Sequence, residues 1–232
     1  MNTTNFKTTI EGVISSIEEA RSRRDYTQSK SRANTRLPAE QFLYAFRQTA
    51  TDIMRQRGVP GDFIVDDRNR ELIRQFMLYT YGDPACDWNT AAGIILGGNV
   101  GVGKTLLMKT FVELHNMLCE MQIKSFHAKD LLLKIKTNGV APFSRGMLFI
   151  DEFGREEKEV KDFGNTITPF VDLLVARYDN GARTFMTTNF KYDKLTEWYK
   201  DFVVSRMKEM CTYVIIGGNS RRNDNGIKTY GK

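Results

Sequence analysis

Ile10, Val13, Ile14 and Ile17 recur at helical spacing ahead of the charged run Glu18-Glu19-Ala20-Arg21, which predicts a short amphipathic helix. The stretch from Arg21 to Arg36 has no apolar period and reads as a linker. Pro38 then opens a second helical pattern, since a missing N–H costs nothing in a first turn. Phe42, Phe46, Thr49 and Ile53 fall on one face of it, and it stops at the breakers Gly58-Val59-Pro60-Gly61. Two helices of this size cannot build a substantial core alone. Their apolar faces need a partner: each other, the domain that follows, or another protein.

From Asp62 onward the pattern alternates between short apolar runs and helical periods. Phe63-Ile64-Val65 reads as a short extended segment, followed by a helix from Asp67 to about Tyr81. Gly93-Ile94-Ile95-Leu96 is an apolar strand, and a helix runs from Lys104 to about Glu120. Ile123-Lys124-Ser125-Phe126 and Met147-Leu148-Phe149-Ile150 are further strands. A helix from Thr166 to Tyr178 precedes the strand Thr184-Phe185-Met186-Thr187-Thr188. Short helices around Leu195 and Phe202 lead to a last strand, Tyr213-Val214-Ile215-Ile216. Near-continuously apolar strands between helices predict an α/β fold, a parallel sheet covered on both faces.

Composition adds limits. The 232 residues suit one α/β domain plus a modest appendage. No apolar run approaches the roughly 20 residues that span a bilayer, and the N-terminus lacks a secretory pattern, so no membrane partner and a cytoplasmic protein are expected. Cys86, Cys119 and Cys211 are far apart, and His115 and His127 complete no ligand set with them, so no zinc is expected. The net charge is +6, and part of it sits in Arg21, Arg23, Arg24, Lys30, Arg32 and Arg36, opposed by Asp25. That run either tracks phosphates or is a solvated linker.

The chemistry lies in the α/β part. Gly98-Asn99-Val100-Gly101-Val102-Gly103-Lys104-Thr105 satisfies GxxxxGK[ST], between a predicted strand and a predicted helix. The glycines let successive N–H groups turn inward onto phosphates, and the helix adds its positive end. Lys104 supplies a cation for the β- and γ-phosphates of ATP, and the Thr105 hydroxyl can ligate Mg²⁺. A further apolar strand ends in Asp151 and Glu152, adjacent side chains that can face different ways. Asp151 then takes Mg²⁺, and Glu152 orients and deprotonates the attacking water. Asn189 follows the next apolar strand, at the edge where open α/β sheets bind ligands, and can hold that water. Arg206 is the leading candidate for an arginine that reaches a neighbour's γ-phosphate, with Arg177 as its competitor.

These motifs, with Ser205-Arg206-Met207 and Gly218-Asn219-Ser220-Arg221-Arg222, resemble the DnaC/IstB-like branch of AAA+ ATPases, the bacterial and phage helicase loaders. The likeness covers approximately Asp62 to Arg222. It implies a P-loop AAA+ core with little or no C-terminal lid, beside a small helical N-terminal region. Residues 1–61 are then a partner-binding region with a basic linker, and 62–232 the ATPase domain. It further implies single-stranded DNA contact, ATP-dependent self-association and capture of a replicative DNA helicase by the N-terminal region. Two departures stand out. There is no N-terminal cysteine cluster, and without a lid Arg221 or Arg222 is what remains for the second sensor arginine. The alternative within the resemblance is an IstB-like transposition helper that assembles on duplex DNA and recruits a transposase. A third reading is an adaptor that binds ATP and barely hydrolyses it.

Overall fold

The computed structural model describes residues 36–157, 159–162 and 165–221, together with Ser15, Glu18, Glu19, Arg32 and Ala33. The predicted helix through Ile10, Val13, Ile14 and Ile17 lies outside the described residues, as do Arg21, Arg23, Arg24, Lys30 and Arg222. The elements are α1 (Ala39–Gln56), α2 (Arg70–Tyr81), β1 (Gly93–Gly98), α3 (Lys104–Leu118), β2 (Ile123–His127), α4 (Ala128–Asn138), β3 (Met147–Phe153), β4 (Val160–Asp162), β5 (Asn165–Ile167), α5 (Pro169–Asp179), β6 (Thr184–Thr188), α6 (Tyr192–Trp198), α7 (Asp201–Met210) and β7 (Cys211–Ile216).

Five strands form one parallel sheet in the order β2-β3-β6-β1-β7. Alternate residues of its inner strands enter different cores, as a two-residue side-chain period requires. Ile94, Leu96, Met147, Phe149 and Phe185 face α1, α2 and α3. Ile95, Leu148, Ile150 and Met186 face α4, α5, α6 and α7. Both faces are covered, which is why β1 and the first four residues of β3 read as apolar runs, while β6 carries three buried threonines. β6 sits between β1 and β3, so the ends of these three strands meet at one edge of the sheet.

Helix α1 finds its partner within this chain. Phe42, Phe46, Ala50 and Ile53 are buried, and Phe46 lies against Phe76, which stacks on Phe111 with centroids 4.6 Å apart. That places α1, α2 and α3 in one aromatic core. Phe63 N–H donates to Thr51 Oγ1 at 2.9 Å, binding the following segment back onto the helix. The expected boundary after residue 61 therefore falls inside a continuous core. Arg36 of the basic run is also tied to the domain, pairing with Asp83 at 2.8 Å beside the Tyr81 ring.

Other differences are local. Residues 63–65 are extended but pair with no strand. Helix α2 starts at Arg70 rather than Asp67, because Asn69 is spent bracing the turn before it: its Oδ1 accepts from Asp66 N–H and its Nδ2 donates to Ile64 O. Helix α5 starts at Pro169, since the residues before it pair as the antiparallel hairpin β4–β5. Among the described residues no helix follows β7, and none is long and apolar enough to cross a membrane.

Candidate functional site

The loop from Gly98 to Gly103 turns out of β1 into α3 through backbone angles that need glycine. Gly98 has φ +146° and a Cβ there would meet Ile216 O at 2.3 Å, while Gly101 has φ +87° and a Cβ would meet Ser220 Oγ at 2.2 Å. The chain after β7 thus closes against this loop, and Arg221 N–H donates to Gly101 O at 2.9 Å. Lys104 opens α3 with its ammonium on the carbonyls of Gly98 and Asn99, both at 2.7 Å, which aims it at the loop's mouth.

Thr105 and Asp151 come together although they are distant in sequence. The Thr105 hydroxyl donates to Asp151 Oδ1 at 2.8 Å, the Thr187 hydroxyl donates to the same oxygen at 2.6 Å, and Lys109 Nζ lies 3.4 Å from Oδ2. Among the described residues no group of three His, Cys, Asp or Glu side chains could hold a metal ion. One hydroxyl and one carboxylate side by side instead fit Mg²⁺, which binds through few protein oxygens and completes its shell with phosphates and water.

β3 breaks register with β6 between Ile150 and Phe153, and Glu152 has φ +59°, unlike every other described non-glycine residue. Such a bulge re-aims a side chain at the cost of local strain. It explains why two neighbouring acids occupy different places. Asp151 is buried behind Thr105, whereas the Glu152 carboxylate turns into the cleft. There Glu152 Oε2 accepts from Arg155 Nη1 at 2.8 Å and lies 3.2 Å from His127 Nε2. His127 Nδ1 accepts from Lys129 N–H at the start of α4, so its proton sits on Nε2 and is donated to Glu152. Burial pushes the Glu152 carboxyl up, but the bonds from His127 and Arg155 outweigh it and hold its pKa below the ordinary value. The turn beyond is fixed by Glu156, which accepts from Gly154 N–H at 2.8 Å and from the buried Tyr199 hydroxyl.

Gly101 to Thr105, Glu152, Asn189 and Arg221 line one cleft of about 930 Å³. Much of its remaining wall comes from the segment between α1 and α2, including Val59, Ile64 and Asp66. Arg221 reaches this wall through an ion pair with Asp66 at 2.9 Å. The sequence reading did not place this segment in the site, nor His127, Arg155 or Thr187. For the last three a usable signal existed: each lies at or just beyond the same end of a sheet strand as Asp151.

The two competing arginines separate completely. Arg177 is fully buried, donating to Thr184 Oγ1 and to the carbonyls of Phe143, Gly146 and Arg183. Burial pulls its pKa down to about 10. It stitches the entries of β3 and β6 together and cannot reach a neighbouring molecule, so it is withdrawn as a trans-acting arginine. Arg206 lies outside the cleft on α7, half-buried between aromatic rings.

No protein-family model matches the chain, and no curated protein sequence matches it. Solved structures do. The DnaC helicase loader matches over 67% of this chain and 93% of its own, with a TM-score of 0.52 and 21% identity. DnaI matches over 69% and 87%, with a TM-score of 0.52 and 22% identity. The replication initiator DnaA, in a structure bound to AMPPCP and single-stranded DNA, matches over 68% and 49%, with a TM-score of 0.50 and 17% identity. At such identities the likeness is one of fold.

Proposed function

We propose that this chain, whose AAA+ P-loop fold is shared with the DnaC helicase loader and the replication initiator DnaA, is an ATP-switched loader of a replicative DNA helicase. One observation carries the reading. Lys104, Thr105, Glu152 and Asn189 converge on one cleft with Asp151 directly behind, while Arg206 stands outside it. A site of this kind is completed by an arginine from a second copy, so ATP turnover and self-association depend on each other.

In this proposal the P-loop N–H groups and Lys104 bind the triphosphate, and Asn189 holds a water near the γ-phosphate. Mg²⁺, held by Thr105 and Asp151, would neutralise charge on the phosphoryl oxygens. Glu152, whose carboxyl is held below its ordinary pKa by His127 and Arg155 against the effect of burial, orients that water and accepts its proton. Single-stranded DNA is held by the ATP-bound assembly, with the basic run before Arg36 contributing phosphate contacts.

Helicase capture falls to the residues before Arg36, because α1 is committed to the ATPase core. The test compares capture of the cognate replicative helicase by the full chain and by a chain beginning at Arg36, with and without ATP. A shortened chain beginning at Asp62 would lose α1 and expose its aromatic partners, and so would not be informative. Capture that needs the residues before Arg36 supports the loader. Absence of capture under every nucleotide condition, with capture of a transposase instead, would transfer the reading to a transposition helper.

A further inference from the structure

Arg206 and Glu209 are three apart on α7, a spacing at which opposite charges ordinarily pair. They do not pair. Tyr178, near the end of α5, donates its hydroxyl to Glu209 Oε2 at 2.6 Å. The same Tyr178 presents its ring to the Arg206 guanidinium, 5.3 Å from the centroid, and Phe202, one turn earlier on α7, presents its own ring at 5.3 Å. The hydrogen bonding of Arg206 is correspondingly thin. Nη1 reaches Phe202 O at 3.4 Å, and Nε is buried without a partner. Among the described residues no carboxylate forms an ion pair with it.

An arginine paired to a carboxylate has its planar fork occupied, and any anion arriving must displace that partner. One held by ring faces is oriented through its π surface and keeps its in-plane donors for an incoming anion. Tyr178 produces the second condition twice over, by supplying a face and by occupying the carboxylate that would otherwise compete.

We propose that Tyr178 is a positioning residue that keeps Arg206 free for the phosphate of a nucleotide bound by a neighbouring copy. This deepens the proposed trans role of Arg206 and rests on it. Phe202 contributes the second wall, and Glu209 is the competitor that Tyr178 holds away. The nucleotide cleft of the same chain is lined by other residues, so its own affinity for ATP does not depend on this cluster.

The test is steady-state ATPase kinetics of the full-length protein under assembling conditions, with melting temperature measured for every variant. Tyr178→Phe keeps the ring and releases Glu209. It is expected to lower kcat about threefold to tenfold, for a loss of roughly 1 kcal/mol in the transition state, and to leave KM for ATP unchanged. Adding Glu209→Gln removes the competing charge, and Tyr178→Phe/Glu209→Gln should return to within about twofold of the wild-type kcat. A role in helix packing alone would not be rescued by deleting a charge. Wild-type turnover in Tyr178→Phe, or a double variant as slow as the single, overturns the positioning role. Arg206→Ala separates the two levels. If it is inactive while Tyr178→Phe is normal, only the positioning role fails; if Arg206→Ala itself turns over normally, the trans arginine fails and the positioning role with it.

Discussion

At the Gly101–Thr105 end of the cleft, the charged groups are held by backbone and by one another. Lys104 sits on two carbonyls of its own loop, and Asp151 is gripped by Thr105, Thr187 and Lys109. On the α5–α7 face the arrangement is reversed, with Arg206 against two rings and, among the described residues, in an ion pair with no carboxylate. The first region suits a ligand that arrives with its own metal ion and fits a preset cradle. The second suits contact with a charge that comes from outside the chain. Arg177 sharpens the contrast: on the helix packed against α7, it spends every guanidinium nitrogen on its own fold.

Glu152→Gln should leave nucleotide affinity intact and lower turnover by about 10²–10⁴-fold, the usual contribution of a positioned base. Near-normal single-turnover hydrolysis in that variant would remove Glu152 from its role. Arg177→Ala should destabilise the protein by about 3–5 kcal/mol, because it removes a fully buried side chain together with its bonds to Thr184 and three carbonyls, whereas Arg206→Ala should stay within about 1 kcal/mol of wild type and lose turnover instead. Denaturant unfolding of the pair decides this, and equal destabilisation would erase the distinction drawn between the two arginines. Lys104→Ala should weaken binding of a fluorescent ATP analogue by roughly 100-fold, consistent with one charge-assisted contact to phosphate.

The smallest effect concerns a charge that the core refuses altogether. Burial, aided by the Arg183 charge, lowers the pKa of His115 to about 3, from an ordinary value of 6.5. A base depressed in the folded state contributes stability that is complete above pH 6.5 and is lost as pH falls from there toward 3. Between pH 7 and pH 5 this one group should cost about 2 kcal/mol of unfolding free energy. His115→Leu should flatten that slope by a similar amount. An unchanged pH profile would show that His115 is protonated within the fold or that other groups compensate.

The parts legible in the sequence share a local physical cause. A phosphate cradle needs glycines at positive φ and a lysine at a helix start, and both are written in consecutive residues from Gly98 to Thr105. Strands buried on both faces are mostly apolar, so β1, most of β3 and, despite its buried threonines, β6 could be read as well, whereas the β4–β5 hairpin and α4 could not. The two acids closing β3 were also visible, though their different placements depend on the bulge that turns Glu152 away from Asp151. Tertiary structure alone decided the rest, because it depends on which residues meet across long separations. The aromatic stripe of α1 does not say what will cover it, and only packing assigned it to Phe76 and Phe111 rather than to another protein. Arg177 and Arg206 carry the same side chain, so burial and neighbours, not residue type, made one a structural anchor and left the other half-buried against two rings outside the cleft. His127 and Arg155 lie at strand ends that the sequence marks, but which ends are neighbours is set by sheet order, and the wall between α1 and α2 is brought to the site by the packing of α1 and Phe63 on the domain.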